Sequence, residues 1–159
     1  MFQEDITLIF LSKSHSKYMK SFLKALFVLL LLVSQKPANA ADLNVLIIGL
    51  SSDDGDVHIA LFNDPKNFPY SEGIFSEKKI RIKNSRASCI FKNLKEGPYA
   101  IAAYHDKNDN DNFDQNILGI PEEDFGFSNG SSFFFSPPSF DQSKFFIQGS
   151  KKSVIITLN

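Results

Sequence analysis

Phe91-Lys92-Asn93-Leu94-Lys95-Glu96-Gly97-Pro98-Tyr99 is the stretch whose reading decides the fold. Leu94 closes one apolar segment, Gly97 and Pro98 turn the chain, and Tyr99 opens the next apolar run, which continues to His105. A Tyr two residues after a turn glycine, at the head of a strand, has the pattern of a tyrosine corner. In that device of Greek-key sandwiches the phenol bonds back to the backbone of the turn. An ordinary hairpin with Tyr99 packed in the core fits the same residues, and both readings require strands on either side.

Working outward, Ala87 to Phe91 reads as the strand before this turn, and Asn84-Ser85 as the turn before that. Lys79-Ile80-Arg81-Ile82-Lys83 alternates with its charges outward and suits a half-exposed edge strand. Leu43 to Leu50 is apolar on both faces, as expected of a central strand. After the polar turn Ser51 to Gly55, the alternation resumes at Val57, Ile59 and Leu61, and these two segments are expected to form a hairpin. Asp64 to Gly73, with two prolines, is a loop or at most one helical turn. Lys144 to Gln148 and Ser153 to Leu158, separated by Gly149-Ser150, complete seven short strands. Helical spacing is sustained nowhere beyond residue 40. The fold class is therefore all-β, a small antiparallel β-sandwich of about seven strands with Greek-key connections, Ig-like or transthyretin-like. The transthyretin-like option rests on the F-x-N-L-x-x-G-x-Y string at Phe91 to Tyr99, which resembles the hairpin of transthyretin-like and carboxypeptidase-regulatory sandwiches.

At the N-terminus, Lys20 and Lys24 precede the apolar run Ala25 to Val33, and Ala38-Asn39-Ala40 follows. A basic end, a short apolar segment and a small-x-small triplet are the order of a secretory signal peptide. The apolar run is short of the about 20 residues that span a bilayer. Cleavage is expected after Ala40, leaving Ala41 as the new N-terminus and no transmembrane segment. Met19-Lys20 reads as the natural start, so residues 1–18 are expected to be an over-extended start, 19–40 the signal, and 41–159 a single domain. The destination is the periplasm or the extracellular space, and the expected partner is an envelope or extracellular one. Residues 41–159 hold sixteen acidic against twelve basic residues, a net charge of −4, with no basic stripe to neutralise phosphates, so nucleic acid is not the partner. A single cysteine, Cys89, leaves no intramolecular disulfide, and its apolar neighbours read it as a small buried hydrophobe.

Lys107 to Gln142 is one long acidic, Phe-rich loop. Loops beyond about 15 residues tend to be functional or disordered. Disordered segments are aromatic-poor, whereas this one carries Phe113, Phe125, Phe127, Phe133, Phe134, Phe135 and Phe140. The rings are expected to pin the loop onto the sandwich rather than line a ligand cleft. At its head, Asp106, Asn108, Asn110 and Asp114 stand at positions 1, 3, 5 and 9 of the calcium loop D-x-[DN]-x-[DN]-G. Ca²⁺ suits such a turn because it takes 6–8 oxygens in loose geometry and neutralises carboxylates that otherwise repel. The candidate metal ligands are Asp106, Asn108, Asn110, the Asn112 carbonyl, Asp114 and Glu123, with Glu122 the neighbouring alternative to Glu123. Asp111 stands where the pattern has glycine, and Ile117 where it has a bidentate Glu. The other reading is a metal-free Asx-rich turn in which Asn and Asp bond their own backbone.

Three blocks together resemble the bacterial family called domain of unknown function 2141: His105-Asp106-x-Asn108-x-Asn110-x-x-x-Asp114, Leu118-Gly119-Ile120-Pro121-x-Glu123-x-x-Gly126-Phe127-Ser128-Asn129, and Pro138-x-Phe140. Leu94-x-x-Gly97-x-Tyr99-Ala100 fits as well. The family pattern usually has Gly just after the second Asn, where this chain has Asp111. The resemblance implies an exported small domain and carries over no catalytic residues. Gly126-Phe127-Ser128-Asn129-Gly130 satisfies the nucleophile-elbow pattern, but the strand and helix it needs are not evident, and His15, His58 and His105 all precede the serine. His105 beside Asp106 could serve a metal-assisted hydrolase, but a His bonded to a backbone carbonyl is the favoured reading. The expected function is thus a calcium-stabilised binding or interaction module without catalytic residues. The alternatives are that metal-assisted hydrolase or a metal-free structural domain.

Overall fold

A computed structural model describes residues 40–130 and 136–159. Residues 19–39 of the expected signal, His15, and Phe133, Phe134 and Phe135 lie outside the described residues. The strands are β1 (Ala41–Ile48), β2 (Asp56–Phe62), β3 (Ser76–Arg81), β4 (Ala87–Leu94), β5 (Gly97–Asp106), β6 (Phe125–Phe127), β7 (Phe145–Ile147) and β8 (Lys151–Thr157). Among the described residues one short α-helix, α1 (Phe140–Ser143), begins at Ser139, whose hydroxyl accepts from the Gln142 backbone N–H in a capping box.

The first sheet has the order β4-β1-β8 and the second β3-β2-β5-β6, with β7 pairing the first three residues of β5. Alternate residues of β1 (Leu43, Val45, Ile47) and of β2 and β5 (Val57, Ile59, Leu61, Ile101) are at most 1% exposed and share one core cluster. Each such branched side chain contributes about 1.5–3 kcal/mol by leaving water. The protein is a small all-β sandwich, as the alternation predicts.

β1 is central, as expected, but its neighbours differ from expectation. It pairs antiparallel with β4 (Val45 opposite Cys89) and parallel with β8 (Val45 opposite Val154), while β2 belongs to the other sheet. The expected β1–β2 hairpin does not form. Residues 49–55 carry the chain across the roughly 10 Å between packed sheets. Gly49 (φ 83°) makes the exit, where a Cβ would collide with the Leu158 carbonyl oxygen.

The Phe91 to Tyr99 stretch is also a crossover rather than a hairpin: Phe91 pairs with Leu43 of the first sheet, and Tyr99 with Phe145 in the second. The Tyr99 hydroxyl donates to the Lys95 carbonyl oxygen at 3.1 Å, so the tyrosine corner is present. β3 is an edge strand with alternating exposure.

An eighth strand, β6, lies inside the long loop. Its Phe125 exchanges both backbone hydrogen bonds with Asn159. A Cβ on Gly126 would overlap the Thr157 carbonyl oxygen, so close approach to β8 demands this glycine. β6 has a glycine at its centre and no apolar–polar alternation around it, so the sequence does not mark it.

The Phe-rich loop does pack on the sandwich. Phe127 and Phe140 join Phe62, Phe68 and Ala100 in a second apolar cluster on the outer face of the β2–β5 sheet. Phe68 stands edge-on to Phe62 at 4.9 Å and to Phe140 at 5.8 Å. Phe113 bridges Tyr104 and Phe125. Among the described residues, no helix is long and apolar enough to cross a membrane.

Candidate functional site

Asp56 and Asp106 face each other across β2 and β5 at the end of the outer sheet face. Like charges opposite one another are destabilising. β3, on the other side of β2, places Lys79 opposite His58 and Arg81 opposite Asp56. The Lys79 Nζ lies 3.6 Å from Asp56 and 3.8 Å from Asp106, and Arg81 Nε lies 3.3 Å from Asp56. The 107–124 loop then folds back over these cations. Lys79 Nζ is 2.6 Å from Asp111 Oδ1 and 3.1 Å from Asp109 Oδ1. The Asp111 and Asp109 carboxylates hold the Lys79 ammonium well above its usual range, and Lys79 in turn holds the Asp111 carboxyl below its own. Lys107 is the only basic residue within 106–124, so the neutralising charges come from a strand some thirty residues earlier.

The loop itself forms around Asp106, whose side chain is fully buried. Its Oδ1 accepts from the Asn110 N–H at 3.1 Å and its Oδ2 from the Asp111 N–H at 3.0 Å. Asp111 adopts φ 60°, the left-handed conformation that the calcium-loop pattern assigns to glycine and that Asp tolerates. Asn108 Oδ1 accepts from the Asn110 N–H, and Asn110 Oδ1 from the Asn112 N–H, two successive Asx turns. Asn108 Nδ2 donates to Asp114 Oδ2 at 2.7 Å, and Asn110 Nδ2 to Asp114 Oδ1 at 3.1 Å. Asn112 Nδ2 donates to the Asn110 carbonyl oxygen.

Glu123, not Glu122, is the carboxylate that closes the loop. Its Oε1 accepts from the Lys107 N–H at 3.2 Å and its Oε2 from the Asp114 N–H at 3.1 Å. Burial pushes its carboxyl above the usual range, opposed by those two N–H groups. Glu122 is exposed and contributes its backbone N–H to the Asp114 carbonyl oxygen. The sequence-derived candidates Asp106, Asn108, Asn110, Asn112, Asp114 and Glu123 are therefore joined by hydrogen bonds into one loop.

A second grouping escapes sequence reasoning. His58 Nε2 lies 3.3 Å from Asp106 Oδ2 and 3.4 Å from Asp111 Oδ1, three ligand-type atoms within 4.8 Å of one another. The His58 ring stacks on Tyr104 at 4.7 Å. Tyr104 is kept from ionising until about 12, by burial first and then by the charges of Asp106 and Glu123. His58 sits on β2, far from Asp106 in sequence, so only the β2–β5 pairing brings them together.

His105 and Asp106 point to opposite faces of β5, because strand side chains alternate. His105 is fully buried, and its Nε2 donates to the Asp54 carbonyl oxygen at 2.7 Å. Its Nδ1 lies 3.7 Å from Asp124 Oδ2. Burial disfavours the Asp124 carboxylate, but the Ser51 hydroxyl and Lys107 outweigh it and hold the carboxyl below the usual range. The adjacent His–Asp pair thus does not converge on one reacting centre.

Ser128 does follow a strand, contrary to the sequence reading, but β6 is three residues long and leads into a 3₁₀ turn. The Ser128 side chain is fully buried, accepts from the Ile101 N–H at 2.9 Å and donates to the Ser143 carbonyl oxygen. It ties β5 to α1 instead of facing a substrate. Cys89 is half-buried, and burial pushes its thiol up to about 11, far from the thiolate range of reactive cysteines.

No curated protein and no solved structure matches the chain. The profile of one family, described as "Uncharacterized protein conserved in bacteria (DUF2141)", matches residues 45–155, which takes in β2 to β7, half of β1, most of β8 and the whole Asx loop, and the chain belongs to that family.

Proposed function

We propose that this is an exported bacterial envelope domain whose 106–123 loop binds Ca²⁺ and is thereby held as a rigid interaction surface. Export rests on the order of basic, apolar and small-x-small segments at 20–40, with Ala41 as the first residue of the mature protein. The binding reading rests on one observation. Asn108 and Asn110 converge on Asp114 within 3.1 Å, next to Asp106 at the loop's origin and Glu123 at its closure. Amide oxygen and nitrogen exchange places when an Asn turns over. Turned over, both amides would give up the Asx-turn bonds that their oxygens accept from the Asn110 and Asn112 N–H groups and would present those oxygens toward the point where Asp114 already directs its carboxylate. Asp106, Asn108, Asn110, Asp114, the Asn112 carbonyl and Glu123 would then approach the 6–8 oxygens that Ca²⁺ takes.

The charge distribution supports the same reading. Lys79 and Arg81 serve Asp56, Asp106, Asp109 and Asp111, and Lys107 serves Asp124. Asp114 meets two neutral amides instead.

Thermal melting of the protein with chelator, with Ca²⁺ and with Mg²⁺ tests this. Saturation at 100 times the dissociation constant stabilises the fold by about 2.7 kcal/mol. Mg²⁺ is expected to give much less, because it demands stricter octahedral geometry. Asp114→Ala, a change at a half-exposed residue, is expected to erase the Ca²⁺ gain while leaving the melt in chelator near that of the wild type. Identical wild-type melts with chelator and with Ca²⁺ would leave the loop a metal-free Asx turn.

A further inference from the structure

Past Asp114 the loop narrows into a small tip, closed where Gln115 bridges Pro121. Asn116 organises it: its Oδ1 accepts from the Leu118 N–H at 2.9 Å and the Ile120 N–H at 3.1 Å, while its backbone N–H donates to the Ile120 carbonyl oxygen. Gly119, at φ 75°, completes the turn. This well-tied tip holds Ile117, Leu118 and Ile120 out at 102%, 78% and 56% exposure. Three adjacent aliphatic side chains fixed in water are not packing residues of their own domain. At the base of the tip stands the exposed Glu122, which is not among the proposed Ca²⁺ ligands and donates its backbone N–H to the Asp114 carbonyl oxygen.

The opposite chemistry occurs elsewhere on the same molecule. Between the edge strands β3 and β4 runs an open cleft of about 450 Å³, with Phe75, Ile90, Phe91 and Leu94 among its lining residues. Phe75 and Ile90 are 50% and 45% exposed. The charged residues lining it are Lys78 and Lys92, and Lys78 Nζ lies 5.6 Å above the Phe91 ring. An apolar tip with an acidic base and an apolar cleft with a basic rim are complementary in both hydrophobicity and charge.

We propose that the Ile117–Ile120 tip of one molecule docks into the β3–β4 cleft of a second copy, a head-to-tail self-association. The tip's aliphatic side chains are exposed and none of them lines the cleft of its own molecule, so the contact is between molecules. Such a contact joins two different patches and therefore propagates into a ring or an open chain instead of stopping at a dimer. The tip is small against a standard interface of roughly 1,600 Å², so the association is weak and requires high local concentration. A lipid surface bearing anionic headgroups is the poorer occupant, because the acidic base would be repelled from it.

Sedimentation equilibrium of the protein from about 1 µM to about 1 mM is the test. The average mass is expected to rise with concentration beyond that of a dimer. Leu118→Glu, in the tip, and Ile90→Glu, in the cleft, are both surface changes. Each is expected to weaken self-association at least about tenfold, with an unchanged melting temperature showing the fold intact. The deciding experiment mixes the two variants. Each retains the half that the other lacks, so the mixture forms a single heterodimer at concentrations where neither variant associates alone. A wild type that stays monomeric throughout would overturn the proposal. So would Ile90→Glu associating like the wild type, which would mean tip-to-tip contact. Flotation of the wild type, but not of Leu118→Glu, with vesicles of phosphatidylethanolamine and phosphatidylglycerol would replace it with membrane docking.

Discussion

Asp106→Ala isolates what the buried carboxylate does for the loop before any metal is considered. The substitution removes the acceptor of two backbone N–H groups, Asn110 at 3.1 Å and Asp111 at 3.0 Å, from a side chain with no exposure. Each N–H left without its charged partner costs about 1–3 kcal/mol, with water recovering part of this in an exposed loop. Relief of the repulsion from Asp56 directly opposite returns up to about 1 kcal/mol. The net loss is about 2–4 kcal/mol. Unfolding entropy near 2.1 cal/mol/K per residue over residues 41–159 makes 1 kcal/mol worth about 4 °C, so the melt should fall by about 8–16 °C. Calorimetry in chelator reads this number free of any Ca²⁺ effect. Asp106→Asn, which keeps one acceptor oxygen, is expected to lose about half as much. If Asp106→Ala melted within about 3 °C of the wild type in chelator, the idea that this carboxylate organises the loop would be wrong.

Ser128→Ala removes the acceptor of the buried Ile101 N–H and the donor to the Ser143 carbonyl oxygen, and should lower stability by about 2–4 kcal/mol in urea titration. A variant as stable as the wild type would remove the structural role and reopen the serine to other readings. The Asp111 carboxyl, held low by Lys79, contributes stability that is present above the ordinary Asp value of about 3.9 and is lost as pH falls through its lower folded-state value. Lys79→Met is therefore expected to flatten the acid limb of a stability-versus-pH curve below about pH 4, and an unchanged limb would assign it to other carboxylates. Glu123 acts in the opposite sense, since burial raises its carboxyl: its contribution weakens as pH rises through its folded-state value.

Local patterns in the chain were sufficient for the all-β class, the edge position of β3, the central position of β1 and the tyrosine corner at Tyr99. Each depends on period-two alternation, on a run apolar on both faces or on a turn whose residues are adjacent. The Asx loop was legible for the same reason: Asp106, Asn108 and Asn110 shape their own backbone, and even the left-handed Asp111 follows from local conformational preference. Strand partners were not legible, because an apolar run says that β1 is central without saying that β4 and β8, rather than β2, lie beside it. The hairpin expectation failed there. The cations of Lys79 and Arg81, the approach of His58 to Asp106 and Asp111, and the separation of His105 from Asp106 onto opposite faces all depend on those pairings. Charge and hydrogen bonding act through space over a few ångströms, so tertiary structure alone decided which distant residues share the site.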